Sequence, residues 1–304
     1  MSKISDTDIN AVGRILNDKT KPLKDRFRAL FTLKNLGGNV AIEQIQNCFN
    51  DTSALLKHEL AYCLGQMQDP SAIPVLVNVL RDDTQEAMVR HEAAEALGAI
   101  GVDSVIPILE EYSRDPVIEV AETCQLALNR LQWLTVSDAN LICTSKNPYG
   151  TVDPAPPTEI QDISVLKENL LNEKLPLFDR YRAMFALRNL RNKESVLALS
   201  EGLRAGSALF KHEVAFVLGQ LQHESSVPYL RDSLEDPTEN EMVRHECAEA
   251  LGAIATAECF EILRKYLSDT KRVVRESCIV ALDICEHQNS LQLQYADSLT
   301  KSCA

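Results

Sequence analysis

Positive charge is scarce in this sequence: 31 Lys and Arg stand against 44 Asp and Glu, a formal net charge of -13 over 304 residues. A repeated grip on nucleic-acid phosphates needs basic side chains gathered on one face, so no nucleic-acid partner is expected and a cationic ligand suits the chain better. Long hydrophobic runs are missing too. Nowhere do about 18 apolar residues follow one another, and the N-terminal MSKISDTDIN has no apolar stretch of the kind a secretory signal needs, so no membrane association is expected. None of the nine cysteines forms a C-x-x-C pair. Cys63, Cys124, Cys247, Cys278 and Cys285 fall in helical-looking stretches, where a free thiol behaves as a small buried hydrophobe. A reducing compartment, and hence a cytoplasmic chain, is expected. No G-x-G-x-x-G follows a strand, so neither flavin nor nicotinamide is expected to bind.

What the sequence does have is self-similarity. SALLKHELAYCLGQ, Ser53 to Gln66, and SALFKHEVAFVLGQ, Ser207 to Gln220, share ten of fourteen residues at an offset of 154. The same offset pairs MVRHEAAEALGAI at Met88 with MVRHECAEALGAI at Met242, and DRFRALFTLKNL at Asp25 with DRYRAMFALRNL at Asp179. Inside each half a shorter period appears, since His58 and His91 are 33 residues apart, as are His212 and His245. One helix pair per period is what a stacked α-solenoid requires, because a single helix hairpin cannot bury its apolar face alone. The expectation is an all-α fold of two homologous halves, about four helix pairs each, related by a pseudo-twofold axis.

Within 69–101, Asp69-Pro70 is expected to open a helix carrying Ile73, Leu76, Val77 and Leu80. The second helix then carries Val89, Ala93, Ala96, Leu97 and Ile100 and ends at Gly101 as a C-cap. Asp115-Pro116 and Asp236-Pro237 read as further helix starts. Between the halves the helical period lapses and Pro148, Gly150, Pro154, Pro156 and Pro157 accumulate. The expected organisation is therefore an N-terminal half over 1–134, an extended linker over 135–162, a C-terminal half over 163–287 and a polar, frayed tail over 288–304.

With six histidines and 25 glutamates in the chain, chance adjacency gives roughly half a His-Glu dipeptide. Five occur. His223-Glu224 falls in a polar turn, its counterpart at the 154 offset is Asp69, and it reads as incidental. The other four, His58-Glu59, His91-Glu92, His212-Glu213 and His245-Glu246, each sit one or two turns inside the second helix of a unit, so stacking puts neighbours about 8 to 10 Å apart. Imidazole and carboxylate without thiolate suits non-haem iron, manganese or zinc, and two histidines with one carboxylate is the set that lets ferrous iron bind oxygen. Adjacent residues on a helix point about 100° apart, so a histidine and the glutamate after it need not reach one metal. Glu95 and Glu249, four residues after His91 and His245, could be ligands, orienting partners or surface charges.

On KHE at Lys57 and Lys211, VRHE at Val89 and Val243, and the spacing of all four pairs, the chain closely resembles the deoxyhypusine hydroxylases, HEAT-repeat di-iron monooxygenases. The resemblance covers essentially the whole sequence. It implies oxygen-dependent hydroxylation of the deoxyhypusine side chain of translation initiation factor five-A, with two ferrous ions shared between the halves, dioxygen as co-substrate and an external electron donor. It further implies that His58, His91 and Glu92 hold one iron and His212, His245 and Glu246 the other. Glu59 and Glu213 are the less certain ligands and could face the cationic substrate chain instead. Two other readings remain open: a non-enzymatic scaffold binding a basic protein segment, and a dinuclear zinc or manganese hydrolase.

Overall fold

In the computed structural model, residues 4–136, 147–292 and 294–299 are described; the middle of the expected linker and the end of the tail lie outside them. The described residues contain helices and turns and no strand. The first eight helices are α1 (Asp6–Asn17), α2 (Leu23–Leu36), α3 (Gly38–Gln46), α4 (Ala54–Met67), α5 (Ile73–Arg81), α6 (Ala87–Ile100), α7 (Ile106–Tyr112) and α8 (Ile118–Val136). They are followed by α9 (Ile163–Leu171), α10 (Leu177–Leu190), α11 (Lys193–Glu201), α12 (Ala208–Leu221), α13 (Val227–Glu235), α14 (Glu241–Ile254), α15 (Ala257–Lys265) and α16 (Arg272–Gln288). This is the all-α helix-pair architecture that the repeat demands. No described helix is long and apolar enough to cross a membrane.

The chain forms two compact units, Met1–Ala127 with Leu291–Ala304, and Leu128–Ser290. In the first, α4 packs against both α2 and α6, and in the second α14 packs against both α12 and α16. The even-numbered helices thus stack side by side. Val89, Ala93, Ala96, Leu97 and Ile100 are all buried on α6. On α5 the buried face is Val75, Leu76, Val79 and Leu80, while Ile73 and Val77 are half-exposed, a rotation from the expected stripe. The Asp-Pro steps also differ from expectation. Pro70 opens a 3-10 turn ahead of α5, and Pro237 lies in the turn before α14. Cys63, Cys124, Cys247, Cys278 and Cys285 are free and buried. Burial pushes the Cys124 and Cys278 thiols up to about 12, so neither is a nucleophile at neutral pH.

Gly101 closes α6 in the left-handed region at φ 77°, as a glycine C-cap should. Its counterpart in the second half is Ala255, held at φ 57°. A β-carbon in that conformation costs about 1 kcal/mol. Ala255→Gly is therefore expected to raise the unfolding midpoint by a few degrees in a thermal melt, an increase of about 1 kcal/mol.

A buried arginine recurs at the same place in four helix pairs. Arg26, Arg90, Arg180 and Arg244 each donate from Nε to a carbonyl ten residues back, that of Leu16, Leu80, Leu170 or Leu234. The first, second and fourth pair with Asp51, Asp115 and Asp269. Ala205 takes that place for Arg180, whose guanidinium lies 3.8 Å from the Phe210 ring centre instead. Burial would raise the Asp51 and Asp269 carboxyls, but backbone N–H donors and the facing arginines outweigh it and hold both below the ordinary value. A depressed folded-state value means that the stabilisation is complete above the unfolded-state value near 3.9 and is lost as pH falls through the lower folded one. Acid unfolding below about pH 4 should accordingly become shallower in an Asp51→Asn, Asp269→Asn double variant than in the parent, when followed by circular dichroism.

The proline-rich stretch beyond 146 belongs to the second unit and is bonded to its helices. The Asp153 carboxylate accepts two bonds, of 2.8 and 2.7 Å, from the guanidinium of Arg188, which has no exposed surface. Arg130 Nε reaches the Asp153 carbonyl at 3.1 Å, and Arg182 Nε that of Pro156. The tail, expected to fray, is held too. Arg28 lies 4.6 Å from the Tyr295 ring centre and pairs with Asp297, and the backbone N–H of Ser298 donates to Thr32 Oγ1.

Candidate metal centre

The four inner helices α4, α6, α12 and α14 each run 14 residues, and each places its histidine fifth. Ser53 and Ser207 fix two of those starts, accepting from the N–H of Leu56 and Phe210. The equivalence of the four pairs is thus structural as well as sequential. All four histidines and Glu59, Glu92, Glu213 and Glu246 are buried. Burying eight such groups is costly unless they meet a partner or a metal.

In the first unit the His58 and His91 rings lie 5.5 Å apart, tilted by 46°. Glu92 Oε2 comes within 3.3 Å of His58 Nε2, and one donor atom from each of His58, His91 and Glu92 lies within 4.8 Å of the others. In the second unit the His212 and His245 rings lie 5.2 Å apart at 45°, and Glu246 Oε2 is again 3.3 Å from His212 Nε2. Each later carboxylate therefore meets the imidazole of the preceding His-Glu helix. That cross-helix contact is how an adjacent His-Glu pair serves one point despite its 100° offset.

These donors fit a metal. Two imidazoles and a carboxylate form a nitrogen and oxygen set suited to iron, manganese or zinc, and in the first unit their donor atoms lie close enough together to share one ion. Glu249 Oε1 lies 3.6 Å from His245 Nδ1 and accepts a 3.3 Å bond from the Ser277 hydroxyl, a place from which a carboxylate orients an imidazole. His223 does different work: its Nδ1 accepts from the N–H of Ser225, as the Asp69 carboxylate does from that of Ser71. The residue read as incidental is a turn cap.

Sequence reasoning did not find the clamps beside the histidines. Lys57 Nζ bonds Gln85 and Glu86 at the start of α6, at 2.6 and 2.7 Å, and Lys211 pairs with Glu239 ahead of α14. The lysine of each KHE motif ties its helix to the next inner one. Its repetition at the 154 offset was the available signal.

Comparison with known proteins agrees with this construction. A model of HEAT repeats matches residues 16–129 and 196–283, and one of the PBS lyase HEAT-like repeat matches residues 179–205. The deoxyhypusine hydroxylase of Drosophila melanogaster is 62% identical over 299 residues, covering 98% of both chains. That of Homo sapiens is 60% identical over 296 residues, covering 97% of both. The structure of human deoxyhypusine hydroxylase in complex with glycerol superposes with a TM-score of 0.90 at 61% identity, over 93% of this chain and 97% of that one. With its full length matched, its helix pairs in place and its histidines converged, the chain belongs to the deoxyhypusine hydroxylase family of HEAT-repeat proteins.

Proposed function

We propose that this protein is a di-iron monooxygenase that hydroxylates the deoxyhypusine residue of translation initiation factor five-A to give hypusine, in the cytoplasm. The observation that carries this reading is the buried convergence of His58, His91 and Glu92, with a like His212–His245 ring pair and Glu246–His212 contact in the second unit. Those six residues would hold the two ferrous ions. Bound iron would supply the reduction of dioxygen and the oxidation of a carbon-hydrogen bond. In the balance, one oxygen atom enters that bond and the other leaves as water, with two electrons and two protons taken from an external donor.

The protein's own part is to bind and orient. Glu59 and Glu213 are buried, belong to the same dipeptides and lie outside the two His-His-Glu sets, which suits them to ammonium groups on the substrate chain. An acidic protein also attracts a cationic substrate. Fixing the aminobutyl chain at its nitrogens places one methylene at the reacting position, and positioning of that kind lowers a barrier by several kcal/mol. Glu59→Ala and Glu213→Ala are expected to leave metal content unchanged while raising KM for the protein substrate about tenfold or more. Loss of metal in either variant would show that these carboxylates are ligands.

The deciding experiment is incubation of the iron-loaded protein with the deoxyhypusine form of the factor, oxygen and a reductant. Gain of one oxygen atom in mass supports the reading. No gain in the presence of bound iron would favour a binding scaffold, and activity with zinc alone a hydrolase.

A further inference from the structure

We infer that Gly65 and Gly219 are positioning residues for the metal centre: by lacking a β-carbon, each sets the helix separation at which two imidazoles and a carboxylate converge. The inference rests on the metal reading given above.

Each glycine lies seven residues, two helical turns, beyond the first histidine of its unit, and faces an alanine five residues beyond the second. A β-carbon placed on Gly65 would lie 2.7 Å from Ala96 Cα and 2.9 Å from its Cβ. One placed on Gly219 would lie 3.1 and 3.2 Å from the same atoms of Ala250. The backbones of α4 and α6, and of α12 and α14, therefore touch with no side chain between them on one side. Lys57 and Lys211 clamp the same helix pairs near their N-terminal ends. Each pair is thus fixed at two points, with the histidine layer between them.

Magnitudes decide that this contact matters for the ligands. Ordinary carbon contacts are about 3.5 to 4.0 Å, so a methyl on Gly65 must part the helices by about 1 Å, and one on Gly219 by about half of that. A metal site tolerates about 0.2 Å in its bond lengths. Parting α4 from α6 moves His58 away from both His91 and Glu92, because those two travel together on α6.

The molecule contains its own control. Gly98 meets Ala127 just as closely, with a β-carbon 2.7 Å from that residue's Cβ, but the contact joins α6 to α8, which carries no His-Glu pair. Gly98→Ala and Gly65→Ala introduce the same methyl against the same kind of neighbour, and only the second separates two ligand-bearing helices.

The test is anaerobic titration of the metal-free full chain with cobalt(II), followed by its visible ligand-field bands, beside thermal melts of the metal-free proteins. Gly65→Ala is expected to weaken one of two cobalt sites ten- to a hundredfold, the range found when groups that orient metal ligands are altered. Gly219→Ala should do the same more mildly to the other site. Gly65→Ala with Ala96→Gly should recover the parent bands only in part, because the 2.7 Å approach to the Cα of residue 96 remains. Gly98→Ala should lower the melting midpoint as Gly65→Ala does and leave both sites as in the parent. Should Gly65→Ala fail to fold, the gentler Gly219→Ala carries the test alone. Parent-like cobalt binding in the glycine variants, or equal weakening by Gly98→Ala, would overturn the inference and leave the metal reading standing. A parent protein that binds no cobalt and no iron would remove the metal reading and this inference with it.

Discussion

Replacing His91 or His245 with alanine is expected to remove about one metal ion per chain and to abolish hydroxylation. Both imidazoles are fully buried. On the proposed ligand set, losing one of three protein donors should cost most of the affinity of that site. Since the second set lies on other helices, the ion it holds should persist, so metal analysis should read a step from two to one and not a slide to zero. Retention of both ions would mean that other residues complete the site. The same variants separate metal loss from unfolding, because His91→Ala removes a buried polar group from a helix whose core face is made by Val89, Ala93, Ala96 and Leu97. Far-ultraviolet circular dichroism should change little.

The second large effect belongs to a residue outside the His-Glu pairs. Asp153→Ala is expected to destabilise the second unit by about 3 to 5 kcal/mol, the cost of leaving one member of a buried ion pair alone. Arg188 has no exposed surface, donates to both Asp153 oxygens and also reaches Gln220 Oε1 at 3.0 Å. Removing the carboxylate strands that charge against Tyr149 and Phe185, whose ring centres lie 5.1 and 4.7 Å away. Denaturant melts should show a lower midpoint at nearly unchanged slope. Replacing both partners, Arg188→Met with Asp153→Ala, should recover much of the loss, since an apolar pair leaves no buried charge. If the single variant melts like the parent, the pair is not a structural anchor.

Sequence reasoning reached the site further than it reached its scaffolding, for a physical reason. The four His-Glu pairs could be read because duplication repeated them at a fixed offset, and repetition is visible in one dimension. The control of His223 worked for the same cause: its counterpart is Asp69, and both prove to cap a turn through a side-chain acceptor. The partner of Glu92 could not be read, because the contact with His58 crosses from one helix to the next and depends on the rotation of both. Arg188 and Asp153 lie 35 residues apart with no periodic signal between them, and a run of prolines carries no sign of which residue will meet a buried arginine. The stripe on α5 was misplaced because hydrophobic period alone does not distinguish Ile73 and Val77 from Val75 and Val79.

The seated tail has a consequence for the order in which the protein is made. Arg28 and Asp297 are 269 residues apart, and Thr32 and Ser298 are 266. On a ribosome, α2 emerges early and waits, its Phe31 and Arg28 without this partner, until the whole second unit has been translated and Tyr295, whose ring meets Phe31 edge-on, arrives. At about 5 to 20 residues per second that interval is on the order of tens of seconds. The first unit is thus begun first and finished last, and its final contact is the one with the largest loop to close.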